Sequence, residues 1–190
     1  MSERSIKEPE IFFDNQTGQL TSPVITVSKK LLSGLENVFK NEAVRASMDQ
    51  EQVVYEVECY FPVEEGKKGG LFWGVSRIYP GKVAGEYFMT RGHFHSESDT
   101  AEFYWGIAGK GVLVCMDTNG QSWAEYLKPN SLHYIAGNVA HRVANIGNES
   151  LIFGACWLSD AGHDYASIEQ NGFSVRLVDL NGKPTLIEAW

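Results

Sequence analysis

The sequence predicts an all-β domain, a sandwich or barrel of short antiparallel strands with one short helix ahead of them. Three observations carry this. Runs rich in β-branched and aromatic residues recur at near-regular spacing from Val53 onward. Turn pairs punctuate them at Pro80-Gly81, Asn119-Gly120 and Asn181-Gly182. The one helical pattern, Leu31 to Gln50, precedes every strong strand candidate.

Residues 1 to 30 read as mixed and mostly extended, broken by Pro9 and Pro23. In the helical stretch Leu31, Leu35, Val38 and Phe39 share one face with charges opposite, and Gly34 interrupts it. Strands are expected over Val53–Pro62, Leu71–Tyr79 and Tyr87–His95. Phe103–Ala108 and Gly111–Asp117 flank Gly109-Lys110 as a candidate hairpin. Ser122–Leu127, His133–Ala136, Arg142–Asn145, Leu151–Trp157, Gly172–Leu180 and Pro184–Ala189 complete the set. Residues 1–50 are expected to form an extension within the same domain, either lengthening a barrel sheet or covering a dimer surface, and residues 51–190 the barrel. A small closed barrel removes its sheet edges and encloses a pocket. Polar side chains pointing into that pocket need partners, which a metal and a polar substrate would supply.

A chain of 190 residues suits one domain with a sizeable core. The net charge of -8 argues against a nucleic-acid or membrane partner, either of which calls for a basic face. Cys59, Cys115 and Cys156 are odd in number, widely spaced and set in apolar runs, which reads as buried free thiols in a reducing compartment. Met1 to Glu10 is polar and charged, unlike a signal peptide, and no apolar run is long enough to span a bilayer. A cytoplasmic protein is the expectation.

The most informative residues are His93-Phe94-His95, then Glu102 after six intervening residues and His141 after 38 more. Alternate strand residues point the same way, so His93 and His95 can offer two imidazoles to one ion. Glu102 and His141 would join from later strands. Three imidazoles and a carboxylate suit divalent iron, manganese, nickel, zinc or copper. His133 falls outside the pattern and reads as structural.

Gly92-His93-Phe94-His95, Glu102 and Gly109 resemble the first cupin motif, and His141 with Asn145 resembles the second. The wide gap from His95 to Glu102, with Thr90 before it and Tyr104 after, looks like the cupin-type glucose-6-phosphate isomerases. Further matches are Tyr79-Pro80-Gly81-Lys82-Val83, Glu86-Tyr87-Phe88-Met89-Thr90, Ala140-His141-Arg142 and Asp160-Ala161-Gly162-His163-Asp164-Tyr165. The resemblance covers roughly residues 50–180. It implies a cupin double-stranded β-helix (a jelly-roll barrel), a homodimer, and one divalent metal per subunit, with Fe2+ first and Mn2+, Ni2+ or Zn2+ as alternatives. It implies interconversion of glucose 6-phosphate and fructose 6-phosphate, a step of glycolysis and gluconeogenesis. His93, His95, Glu102 and His141 match the metal ligands. Thr90, Gly92 and Ser76 match positions near the substrate phosphate, and Tyr104, His163 and Tyr165 match groups lining the sugar site. The chain departs from the family at Asn138, where a tyrosine is common, at Val139, where a tryptophan is, and at Trp157, where a tyrosine is.

An aldose–ketose isomerase needs a base beside the reacting carbons and a cation over the developing oxyanion. Glu102 is the candidate base for proton transfer through an enediolate, and a metal-assisted hydride shift is the alternative route. Arg77, Lys82 and Arg91 are candidate phosphate partners or solvated surface cations. A non-catalytic cupin that binds a sugar or sugar phosphate is the competing function, motivated by the changes at Asn138, Val139 and Trp157. A cupin oxygenase is the third.

Overall fold

The computed structural model describes residues 4–189; residues 1–3 and 190, the outer ends of the expected extension and barrel, lie outside the described residues. The chain opens with a small hairpin, β1 (Phe12–Phe13) and β2 (Leu20–Thr21), then β3 (Ile25–Leu31), a 3-10 turn at Leu32–Leu35 and helix α1 (Glu42–Ser47). There follow β4 (Val53–Tyr60), β5 (Leu71–Ile78), β6 (Lys82–Val83), β7 (Glu86–Tyr87), β8 (Glu102–Ala108) and β9 (Gly111–Asp117). Next come β10 (Ser122–Leu127), β11 (Leu132–Ile135), β12 (Val139–Asn145) and β13 (Leu151–Leu158). Helix α2 (Ala166–Asn171), β14 (Val175–Leu180) and β15 (Lys183–Glu188) close the chain.

Every strand pair is antiparallel, and two sheets face each other across the core. One has six strands in the order β11-β8-β13-β5-β4-β3, the other is β10-β9-β12. Single bridges at Met89–Ala144 and His93–His141 continue the second sheet through the irregular 88–94 segment. A third set, β15-β14-β7-β6, flanks that segment. The chain changes sheet from β8 to β9, from β10 to β11, from β11 to β12 and from β12 to β13, which is the jelly-roll path. The fold is therefore all-β, as expected. β3 pairs with β4 from Ile25–Tyr60 to Leu31–Val53, so part of the extension lengthens the barrel sheet.

The core between the sheets includes Phe88, Phe153, Leu113, Leu151 and Ile135, all essentially inaccessible. A second cluster, Leu20, Val75, Ile107 and Ile152, sits on the outer face of the six-stranded sheet. Ile11 and Phe13 of the opening segment pack on it. That cover explains why Leu151, Ile152 and Phe153 run apolar without alternation: the strand is buried on both faces.

Four expectations need correction. The helix does not run from Leu31 to Gln50. Asn37 adopts a left-handed φ of 62°, and Asn41 starts a fresh helix by accepting from Val44 N–H at 3.0 Å. Gly109-Lys110 is not a hairpin: β8 and β9 lie in different sheets, and this pair carries the chain across. The strand expected over Tyr87–His95 survives only as Glu86–Tyr87 and single bridges, because Gly92 has a φ of 82°. Helix α2 has no counterpart in the sequence reading, although Asp164 accepts from Ser167 N–H at 3.1 Å and Gly172 ends it at φ 70°.

Asn145, wholly buried at the end of β12, pins the crossover to β13. Its Nδ2 donates to Ile78 O and Glu149 O, each at 2.8 Å, and its Oδ1 accepts from Gly147 N–H at 2.8 Å. Asn145→Ala strands these buried groups and should lower stability by about 2–4 kcal/mol, read as a fall in the urea midpoint with the slope unchanged. An unshifted midpoint would show that the crossover holds without them.

Candidate metal centre

The opening residue of β8 supplies Glu102 and the middle of β12 supplies His141, so each sheet contributes one group to the same point. His93 is held by its pair of backbone bonds with His141, N–H to O at 3.3 Å one way and 3.1 Å the other. Phe94 bridges Asp164, and His95 follows on the same side as His93. A side chain at Gly92 would meet Phe173 at 2.8 Å and His141 O at 3.2 Å, so glycine permits this close approach.

One ligand atom from each of His93, His95, Glu102 and His141 lies within 4.8 Å of all the others. A metal with bonds of about 2.1 Å could reach all four. His95 Nδ1 donates to Thr100 O at 2.9 Å, and His141 Nδ1 donates to Val139 O at 3.1 Å. A carbonyl can only accept, so each Nδ1 carries a proton, and in the neutral ring each Nε2 turns a lone pair inward. Those two Nε2 atoms and Glu102 Oε1 are buried with no hydrogen-bond partner. Glu102 Oε1 lies 2.5 Å from His141 Nε2 and 3.4 Å from His95 Nε2. Acceptors facing each other at that range repel unless a cation stands between them. The donor set therefore fits a divalent metal.

The electrostatics agree. Burial pushes the Glu102 carboxyl up, but His141, His95 and His93 together outweigh it and hold the group well below the usual carboxylate range. Burial lowers His93 well below an ordinary histidine, helped by His141 and His163. His95 moves the other way: burial lowers it, but Glu102 outweighs that and raises it, so a bound cation would displace a proton there.

His93, Glu102 and His141 form the floor of a cavity of about 530 Å3. Ser76 of β5, Thr90, Gly92, Tyr104, His163 and Tyr165 also line it, so every site residue read from the sequence except the buried His95 borders one space. Thr90 Oγ1 accepts from Val143 N–H at 3.1 Å, which leaves its own proton free to donate. Tyr104 is 8% exposed, and burial, then the Glu102 charge, pushes its phenol well above the ordinary value. His163 stacks on Tyr165 with centroids 5.6 Å apart and lies 4.5 Å from the His93 ring.

Of the candidate cations only Arg91 lines the cavity, while Arg77 pairs with Glu56 and Lys82 with Asp179 elsewhere. Of the three departures only Trp157 reaches the wall, packed on Gly74 and edge-on to Phe72. Asn138 is exposed in a left-handed turn outside the cavity, and Val139 lies outside it too. His133 binds Glu125 and Ser131 on β11, away from the site. All three cysteines are free; Cys115 is buried, whereas Cys59 and Cys156 are only half-buried, and Cys59 lines the cavity. Burial raises the Cys59 thiol to about 11, so it is a poor nucleophile. The sequence reading missed Ser28 and Lys30 of β3, and Tyr55 of β4, which complete the wall. Their signal was only strand alternation beside residues with no recognisable motif.

A family model described as Glucose-6-phosphate isomerase matches residues 29–185. A glucose-6-phosphate isomerase of Thermococcus kodakarensis is 39% identical over 173 residues, covering 89% of this chain and 90% of the relative. One of Pyrococcus furiosus is 36% identical over 185 residues, 96% of each chain. One of Sinorhizobium medicae is 34% identical over 170 residues, 87% of this chain and 78% of the relative. Among solved structures, a deletion mutant of Bacillus subtilis oxalate decarboxylase overlaps 63% of this chain and 30% of its own, with 18% identity and a TM-score of 0.46.

Chelator-stripped protein should take up one divalent ion per chain in a calorimetric titration with Mn2+. His141→Ala should weaken that binding at least about 100-fold, since a direct ligand matters no less than the outer groups that orient it. Equal affinity in the variant would place the ion elsewhere.

Proposed function

Because the chain belongs to the glucose-6-phosphate isomerase family, we propose that it interconverts glucose 6-phosphate and fructose 6-phosphate with one divalent metal ion held by His93, His95, Glu102 and His141. Family membership makes it an enzyme, an aldose–ketose isomerase. The observation that supports the finer reading best is the set of unpartnered ligand atoms at the floor of a cavity of about 530 Å3, a size ordinary for a small-molecule site. Ferrous iron is our first choice of ion, with Mn2+, Ni2+ and Zn2+ next, since the mixed N/O donor set accepts all four.

The chemistry follows from placement. When bound, the ion would act as a Lewis acid on the oxygens of the two reacting carbons. Glu102 takes the proton from the carbon beside the carbonyl, exchanges it with solvent and delivers a proton to the neighbouring carbon, while the hydroxyl proton passes between the two oxygens of the enediolate. Its carboxyl, held below the ordinary range by the neighbouring histidines, is ionised before the substrate arrives. Tyr104 stays protonated and can donate to a sugar oxygen. Thr90 Oγ1, Ser76 and the Gly92 N–H are the donors we assign to the phosphate, with Arg91, Lys29 and Lys30 the cations on the same wall. His163 and Tyr165 border the sugar. Trp157 puts an indole where the family has a phenol, which removes a hydroxyl and leaves the wall closed.

A homodimer accompanies this reading. Phe103, Leu132 and Tyr134 are exposed on the outer face of β8 and β11, apolar surface that a second copy would cover. No helix among the described residues is long and apolar enough to cross a membrane, and free thiols accord with a cytoplasmic setting.

A coupled assay with fructose 6-phosphate, on stripped protein restored with Fe2+ or Mn2+, tests the function. Activity should require the ion, and Glu102→Gln should lower kcat by about 100- to 10,000-fold. No turnover by fully loaded protein would overturn the choice of substrate. In D2O, early product should carry solvent deuterium at the transferred position. Its absence would replace proton transfer with a hydride shift.

A further inference from the structure

We propose that Arg91, Arg142 and Arg176 form a buried site for one halide-sized anion, behind the strands that carry His93 and His141. The three arginines line a second, small cavity of about 20 Å3, closed by Glu36, Val38, Phe173 and Glu169, the last already paired with Arg91. The Nε–H groups of all three are buried and have no hydrogen-bond partner. Arg91 and Arg176 each have a carboxylate, Glu169 at 2.5 Å and Glu86 at 2.8 Å. Arg142 has none within ion-pair reach among the described residues.

Arg142 is 8% exposed, and its guanidinium lies 3.8 Å over the Phe173 ring. The only acceptor it reaches is Met89 Sδ, at 3.2 Å, a weak one. A buried guanidinium without a counter-charge is costly, and an anion in the adjoining cavity would supply that charge. Glu36 does not: it is exposed, and it forms no ion pair with any of the three. Size limits the ligand. About 10–15 Å3 of such space holds one water, so this cavity takes a single chloride or bromide and excludes phosphate. It is separate from the larger cavity, with which it shares only Arg91.

The location gives the anion a purpose. Arg91 precedes Gly92-His93, and Arg142 follows His141 with its side chain on the opposite face of β12. Those two segments meet through the His93–His141 backbone pair. An anion drawing the guanidinium groups together holds that register from behind.

The test is a chloride titration of the full chain, followed by the 35Cl NMR line width at constant ionic strength with sodium methanesulfonate, which is too large to enter. Excess broadening should saturate, be displaced by bromide and vanish in Arg142→Met. Glu36→Gln should tighten binding by removing a negative charge from the rim. The thermal midpoint should rise about 4 °C at tenfold-saturating chloride, by mass action on the folded state. If Arg142→Met fails to fold, Arg142→Lys and bromide competition on the unaltered chain give the same reading. Broadening that never saturates would overturn the site. So would a bromide peak in crystals without solution binding, which would mark an adventitious ion only, and loss of stability in Glu36→Gln, which would make that carboxylate the counter-charge.

Discussion

The closest polar contact at the centre of the barrel is between two acceptors. His141 Nε2 turns a lone pair toward Glu102 Oε1 at 2.5 Å, and His95 Nε2 does the same at 3.4 Å. In the neutral rings the one proton of each is committed to a carbonyl oxygen. The arrangement is repulsive as bare protein and becomes attractive once a cation sits among the four groups. The charge state of Glu102, the floor of the cavity and the chemistry assigned to it all depend on that condition.

The scaffold enforces it by crossing sheets. The chain crosses between the two sheets at β8–β9, β10–β11, β11–β12 and β12–β13, so Glu102 and His141 approach from opposite walls. The irregular segment 88–95 adds the remaining imidazoles because Gly92 turns where a side chain would collide with Phe173. Asn145 ties the end of β12 to Ile78 and Glu149, fixing the strand on which His141 rides. Outside the barrel, Arg142 alternates with His141 on the same strand. The residue that faces away from the site thus bears on the register of the one that faces it.

Much of this was legible in the chain. The strand list was close because turn chemistry is local: Asn119-Gly120 and Asn181-Gly182 each join strands that pair. Gly109-Lys110 misled because the same residue types serve a hairpin and a crossover, and only long-range pairing distinguishes them. The helix over Leu31–Gln50 was overread because its apolar spacing continues through Asn37 and Asn41, which the backbone uses to break and restart. The ligands were legible because chemistry restricts them to histidine and carboxylate at fixed spacing. Ser28, Lys30 and Tyr55 were not, since wall positions accept many residue types and only the fold brings β3 and β4 to the cavity. Asn138 and Val139, which differ from the family, proved to lie outside the cavity, while Trp157 lies within it. The arginine triad drew no notice because its members are 51 and 34 residues apart in the chain.

We propose that a metal ion, and not a proton, resolves the contact between His141 and Glu102. Crystals grown with Mn2+ and measured at wavelengths on both sides of the manganese edge would decide it. The account predicts one anomalous peak within bonding distance of His93, His95 and His141 Nε2 and of a Glu102 oxygen. A structure with no peak there, and His141 Nε2 still hydrogen-bonded to Glu102, would show that a proton suffices and would contradict it.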